Sequence, residues 1–358
     1  MTETQPILIY GAYGYTGLLV AALAKEHGIP AIVAGRREAP LRDVAEKHGL
    51  PMRVFDLDQK AAQHLQGIGA VLHCAGPFSK TAAPMVDACI EAGVHYLDIT
   101  GEIAVFEALH RRDERARQAG VSVLPGVGFD VVPTDCVGAH LTNRLPTATK
   151  LLLAFATTGR PSRGTIKSTI EKLGSPGLVR REGELTEVPP GYKTRQITFP
   201  MGIRNTVTIP WGDVFTAHIT TGIADIEVYM ANSRRLIRSM RWSRWAGPIL
   251  RSSWVRDLLK QRVEASVFGP TAHERKQARC EIWGRVEDDA GRAFEATMIT
   301  PDGYALTATT ALEAAIRTRD GKTKPGFHTP VLAFGKDFAL EHEGVHWHEE
   351  PHEVYATA

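Results

Sequence analysis

With 358 residues, 43% hydrophobic and 23% charged, the chain has material for about two or three folded domains and none of the bias of a disordered or collagen-like sequence. Its 42 Lys and Arg against 40 Asp and Glu leave a formal net charge of +2, which excludes the global field that would argue for nucleic acid. The four scattered cysteines lack metal or disulfide-framework spacing, the start is polar without a basic leader, and no stretch approaches the ~20 apolar residues of a membrane span, so a cytoplasmic chain with reduced thiols is expected.

The first part of the chain alternates. Short apolar runs at 7–10, 31–35, 53–56, 70–76, 95–99 and 121–124 predict buried strands, separated by predicted helices over 18–27, 41–48, 82–92 and 103–119. Strand–helix alternation of this kind predicts a parallel sheet covered on both faces, a doubly wound Rossmann domain over 1–145. After Asn143 longer β runs take over, at 150–157, 196–199, 207–209, 214–220, 226–230, 278–286 and 293–299. The last two are joined through Asp288-Asp-Ala-Gly291, a hairpin signal. They predict an α+β substrate or oligomerisation domain over 146–300 on a mostly antiparallel sheet, with a helical insertion at 232–262. A helix over 304–316 and a tail, within 301–358, are expected to return towards the Rossmann domain, and a homo-oligomer is expected.

Between the first strand and first helix lies "GAYGYTG", Gly11 to Gly17. With 33 glycines in the chain, three at even spacing recur by chance in roughly one chain of this length in four, so the bare pattern is weak. Its position after a strand and before a helix is what points to a dinucleotide. Gly11 permits the turn, Gly14 admits the pyrophosphate and Gly17 allows close helix–strand packing. Tyr13, Tyr15 and Thr16 complete the loop expected to contact the cofactor, although the spacing departs from G-x-G-x-x-G. The second strand ends Gly35-Arg36-Arg37, with no carboxylate before Glu38 to hold a ribose 2′-hydroxyl. Two guanidiniums suit a 2′-phosphate, so NADP(H) is the expected cofactor; the competing reading is two Arg that begin a solvated helix. Asp56 ends the third strand, either meeting the adenine amino group or serving as a solvated turn residue. Ala75, Gly76, Pro77 and Phe78 end the fourth strand on the side where doubly wound sheets bind ligands, and the segments at 97–102 and 124–135 complete that rim.

At these residues the chain resembles the saccharopine dehydrogenase-like NADP-binding family. "GAYGYTG", "AGRR", "HCAGPF", "YLDITGE" and "PGVGFDVVPTD" carry the resemblance, and "GDVFTAHITTGIADIEVYM", "TPDGYALTATTALEAA" and "GFHTPVLAFGKDF" extend it. It is nearest to the branch of trans-acting enoyl reductases and animal saccharopine dehydrogenase-like oxidoreductases. The resemblance implies a cofactor class more firmly than a substrate, because one fold hosts several chemistries. The leading expectation is hydride transfer from NADPH to an unsaturated C=C or C=N bond of a small-molecule or acyl substrate, with Asp130, Tyr192 and Tyr304 as candidate catalytic residues. A saccharopine-type dehydrogenase acting on a secondary amine between amino acids is the runner-up, with Arg160, Arg163, Lys167 and Arg204 as carboxylate partners. A non-catalytic, NADP-loaded lipid-surface protein is the third.

Residues 234–262 interleave Leu236, Ile237, Met240, Trp242, Trp245, Ile249, Leu250, Trp254, Leu258 and Leu259 with Arg, around Gly247-Pro248. Two short amphipathic helices would place Trp and aliphatic groups on one face and Arg on the other. That surface either packs on the protein as a helical hairpin or meets lipid or an acyl substrate peripherally. His342, His346, His348 and His352 are expected in an exposed tail rather than in a metal site.

Overall fold

Four consecutive apolar residues, Ile7–Tyr10, form β1, buried on both faces in the middle of the first sheet. A strand covered on both sides is apolar at every position, so no alternation shows in its sequence. The computed structural model describes residues 4–171, 173–243, 252–266 and 269–355. After β1 come α1 (Tyr15–Glu26), β2 (Ala31–Gly35), α2 (Glu38–His48), β3 (Met52–Val54), β4 (Ala70–His73), α3 (Phe78–Ala92), β5 (His95–Asp98), α4 (Ile103–His110), α5 (Asp113–Gln118) and β6 (Ser122–Leu124). All pair in parallel, and β1 lies between β2 and β4. The strand order therefore reverses at β1, which places the topological switch point between β1 and β4. The single helix expected over 103–119 is two, because Arg112 at the break turns to grip Asp87 of α3 with Nε–Oδ1 at 3.0 Å and Nη2–Oδ2 at 2.8 Å.

The next elements are α6 (Val132–Arg144), β7 (Lys150–Thr157), α7 (Arg163–Glu171), β8 (Gly177–Arg181), β9 (Glu184–Val188), β10 (Thr194–Phe199) and β11 (Gly202–Thr208). They are followed by α8 (Asp213–Thr221), β12 (Asp225–Ala231), α9 (Arg234–Ser243), α10 (Ser253–Ser266), α11 (Ala272–Gln277), β13 (Arg279–Glu287) and β14 (Arg292–Pro301). These strands build a second, mixed sheet in which, among the described residues, only β7 and β12 pair in parallel. Asp288 closes the β13–β14 hairpin by accepting from the Ala290 and Arg292 amides at 3.1 and 2.9 Å. The strand expected at 214–220 is instead the helix α8. Its β-branched composition favours a strand, but Val214, Phe215 and Ala217 are buried together, and Gly222 at φ 74° ends the helix in the left-handed conformation.

The chain ends with α12 (Gly303–Arg319), β15 (Gly326–Phe327), α13 (Pro330–Phe334) and β16 (His346–Tyr355). Two units result: residues 1–132 with 304–338, and residues 133–303 with 339–358. The division differs from the expected 1–145, 146–300 and 301–358. Helix α6 already packs on the second sheet, where a side chain at Gly284 would meet Val137 at 2.5 Å and Leu141 at 2.8 Å. β15 adds a seventh, parallel strand beside β6, too short to register in a sequence pattern. The histidine-rich segment is no free tail. His346, His348 and His352 lie in β16, antiparallel to β14 at a sheet edge, with the Trp347 ring 5.0 Å from that of His140. Its polar residues hid the strand, as charged side chains on an edge strand do.

Candidate functional site: the carboxyl ends of the first sheet

At the end of β1 the backbone turns through Gly11 at φ 85°. A side chain there would lie 2.7 Å from Ala75, and one at Gly17 would lie 2.4 Å from the Gly11 carbonyl oxygen. Both glycines are therefore needed to bring the loop against β4 and α1 against β1. Gly14 is the N-cap of α1; its amide donates to the Gly11 carbonyl at 2.8 Å, and no side chain caps the helix. A helix start with oriented N–H groups and no side chain in the way fits a pyrophosphate.

Beyond β2, Arg36 and Arg37 are exposed and neither forms an ion pair among the described residues. The Tyr13 ring leans on Gly35, where a Cβ would meet its Cε1 at 2.5 Å, and the Arg37 guanidinium stands 4.9 Å from the ring centroid. Tyr13 thus orients one of the two cations. Asp56 lies in the exposed turn after β3, its Oδ1 accepting from the Leu57 amide at 2.8 Å. It raises the Tyr10 hydroxyl, already pushed up chiefly by burial.

Ala75, Gly76 and Pro77 connect β4 to Phe78, the first residue of α3, and the Gly76–Pro77 peptide is cis. Behind them sits His73, wholly buried, whose Nε2 lies 3.0 Å from Thr81 Oγ1. The Thr81 hydroxyl donates to the Ala75 carbonyl at 2.7 Å, so the imidazole carries its hydrogen on Nε2. Burial lowers His73 to about 3, which keeps it neutral, a fixed strut under the rim. Asp98, at the end of β5, is also wholly buried. Its Oδ1 accepts from the Thr100 and Gly126 amides, each at 3.0 Å, and its Oδ2 from the Tyr96 hydroxyl at 2.7 Å. These bonds join the loops after β5 and β6. Sequence reasoning missed both residues, since nothing local in "VLHC" or "YLDIT" marks a cross-loop anchor.

Asp130 lies in the loop after β6 with its carboxylate against Gly101, where a Cβ would stand 2.5 Å from Oδ2. Tyr304 begins the return helix α12, its ring edge-on to that of Tyr15 at 4.9 Å. The structure therefore brings Tyr304 to the first turn of α1, and Asp130 to the rim between β5 and β6. The helix is fastened to that rim: Thr307 Oγ1 accepts from the Phe129 amide at 3.0 Å, and the Thr310 hydroxyl donates to the Val127 carbonyl at 2.8 Å. Tyr192 belongs to the second unit, between β9 and β10, where its hydroxyl is bonded to Arg181. Among the described residues no group of three or more His, Cys, Asp or Glu is placed to hold a metal, and no helix is long and apolar enough to cross a membrane.

Residues 7–124 match the family model described as the saccharopine dehydrogenase NADP binding domain. This stretch, about a third of the chain, is similar to that domain. It contains the glycine loop, the arginine pair, His73 and Asp98, while Asp130, Tyr192 and Tyr304 lie outside it. The chain is 28% identical over 219 residues to a rat protein named saccharopine dehydrogenase-like oxidoreductase, covering 53% of this chain and 51% of that one. A Mycobacterium ulcerans trans-acting enoyl reductase is 31% identical over 148 residues, 38% of this chain and 35% of its own. The chain spans about half the length of the saccharopine dehydrogenase-like relatives it matches. Among solved structures, an apo saccharopine dehydrogenase (L-Glu forming) from Saccharomyces cerevisiae aligns over 98% of this chain and 100% of its own, at TM-score 0.66 and 12% identity. The fold thus extends beyond the NADP-binding domain to the second sheet.

Proposed function

We propose that the chain is an NADPH-dependent oxidoreductase that reduces an enoyl-type C=C bond in a hydrophobic or acyl-linked substrate. The observation that carries the reading is the cofactor cradle: a glycine-capped α1 beside two arginines without ion pairs among the described residues. Bound NADPH supplies the hydride. The start of α1 would hold the pyrophosphate, and Arg36 and Arg37 would hold the 2′-phosphate, Arg37 steadied by Tyr13. Asp98 and His73 keep the rim loops in register. Tyr304, against Tyr15 in the same unit, is the preferred proton donor of the three candidates, since a neutral phenol can protonate the carbon left by hydride addition.

The enoyl part of the reading draws on the trans-acting enoyl reductase relative. The amine reading draws on the domain family, but one of its proposed carboxylate partners, Arg160, is paired with Glu274 at 3.2 Å. Stopped-flow NADPH oxidation against enoyl thioesters, lipid enones, imines and amino-acid/keto-acid pairs separates the two. Turnover with an enoyl substrate is the expected result. Turnover confined to imines or amino-acid pairs selects the amine reading, and none with any panel member overturns the proposal.

A further inference from the structure

We propose a second anion site, for the phosphate groups of a phosphorylated ligand, in the groove between α9 and the β10–β11 ribbon. The groove measures about 450 Å³ and lies wholly within the second unit. Arg234, Arg238 and Arg241 line it from α9, at spacings that put them on one helix face. Arg195 of β10 borders the groove but turns its side chain to Tyr229. Ile237, 6% exposed, anchors the helix between them. Thr194, Gln196 and Asn205 add neutral polar groups from the ribbon.

Two observations set this apart from a solvated arginine face. The groove contains no carboxylate, and Arg234 and Arg238 form no ion pair among the described residues. The guanidinium of Arg241 is meanwhile held across the groove, Nε donating to the Gly191 carbonyl at 3.1 Å and Nη2 to Thr194 Oγ1 at 3.4 Å. Gly191, at φ 66°, permits that approach, since a Cβ there would lie 3.0 Å from Arg241 Cγ. Three like charges on one side of a concavity repel one another, and an anion with several oxygens relieves the repulsion through forked hydrogen bonds. A phosphate suits three guanidiniums and three neutral polar groups better than a single carboxylate does.

The organic part of such a ligand has a place to go. A cleft of about 370 Å³ shares Arg241 with the groove and is walled by Pro189, Pro190 and Tyr192. The Tyr192 ring has the Arg181 guanidinium 5.2 Å from its centroid and the Lys193 ammonium, which is paired with Glu227, at 5.4 Å. This assigns Tyr192 to ligand binding in the second unit. The inference stands apart from the hydride reading.

Its test keeps the Rossmann site filled. Inorganic pyrophosphate is titrated calorimetrically into the full chain saturated with NADPH, at low salt, beside the Arg234→Glu/Arg238→Glu variant. Parallel samples are sedimented with phosphatidylcholine vesicles with and without phosphatidic acid. The unmodified chain should bind pyrophosphate, and the variant should bind it about tenfold or more weakly with unchanged NADPH affinity. Pyrophosphate binding without sedimentation supports a soluble phosphate ester. Phosphatidate-dependent sedimentation, competed by pyrophosphate and lost in the variant, supports a lipid headgroup. If the unmodified chain takes neither probe, or the variant binds them equally well, the site does not exist.

Discussion

Burial raises the Asp98 carboxyl to about 6, even though its hydrogen bonds from Thr100, Tyr96 and Gly126 act in the opposite direction. Its folded value lies above the ordinary 3.8, so the folded chain favours the protonated form. The contribution to stability is fully present below the unfolded value and is lost as pH rises through the folded one. Asn is a close replacement: its carbonyl can keep both amide donors, and its NH2 can face the Tyr96 oxygen. Relative to the unmodified chain, Asp98→Asn should therefore gain up to about 3 kcal/mol between pH 4 and pH 7, read from urea midpoints. A difference independent of pH would mean that the carboxylate is not raised. Arg36 and Arg37 act at the same scale: changing both to Ala should weaken NADPH binding by about 1–3 kcal/mol per lost contact while sparing NADH, measured by calorimetry. Equal affinity of the unmodified chain for both cofactors would refute the 2′-phosphate assignment. The position of the arginine pair was legible because it depends only on following β2. Asp98 was not, because its Gly126 partner is distant in sequence.

Among the elements, those defined by their own ends were the readable ones. β1, the glycine turn and α1 announce themselves in one short stretch, and Gly14→Ala tests their purpose. The added Cβ would sit 3.1 Å from the Gly11 carbonyl, a tight but adjustable contact, on the loop proposed to receive the phosphates. The variant should fold yet lose about tenfold or more in NADPH affinity; normal binding would leave the loop a purely structural turn. α8 was misread because β propensity reports packing on a pleated surface, and the burial of Val214, Phe215 and Ala217 overrides it. α9 departs from its expected pattern as well. Trp242 follows Arg238 by four residues and is 71% exposed, so it stands among the arginines, while Ile237 faces the protein. Trp245, Gly247, Pro248, Ile249 and Leu250 lie outside the described residues. α6 meets the second sheet at Gly284, and Gly284→Ala should cost about 1–3 kcal/mol through overpacking against Val137 and Leu141. An unchanged urea midpoint would show that the contact relaxes freely.

At the scale of the molecule, the chain leaves the first unit after Val132 and comes back at Tyr304, so the cofactor unit is discontinuous. Sequence alternation described its contiguous part well and predicted a returning helix. It could not show what the return does, because those contacts join residues far apart in sequence. Leu306, Ala308, Ala311, Leu312, Ala314 and Ala315 of α12 are all buried, and Thr307 and Thr310 are bonded to the loop after β6. A chain ending at Gly303 would expose the apolar surface that α12 covers and release the Val127–Phe129 backbone from both threonines. Since burying one large aliphatic side chain contributes roughly 1.5–3 kcal/mol, losing α12 would remove a large part of a typical domain's net stability. We expect the truncated chain to be insoluble, or to bind NADPH far more weakly than the full one by fluorescence titration. The milder Thr307→Val/Thr310→Val variant separates cover from alignment. It keeps the apolar surface, so it should remain folded by circular dichroism while NADPH affinity falls. If the truncated chain binds NADPH as tightly as the full chain, the cofactor does not need α12 and the return of that helix serves only the path to β16.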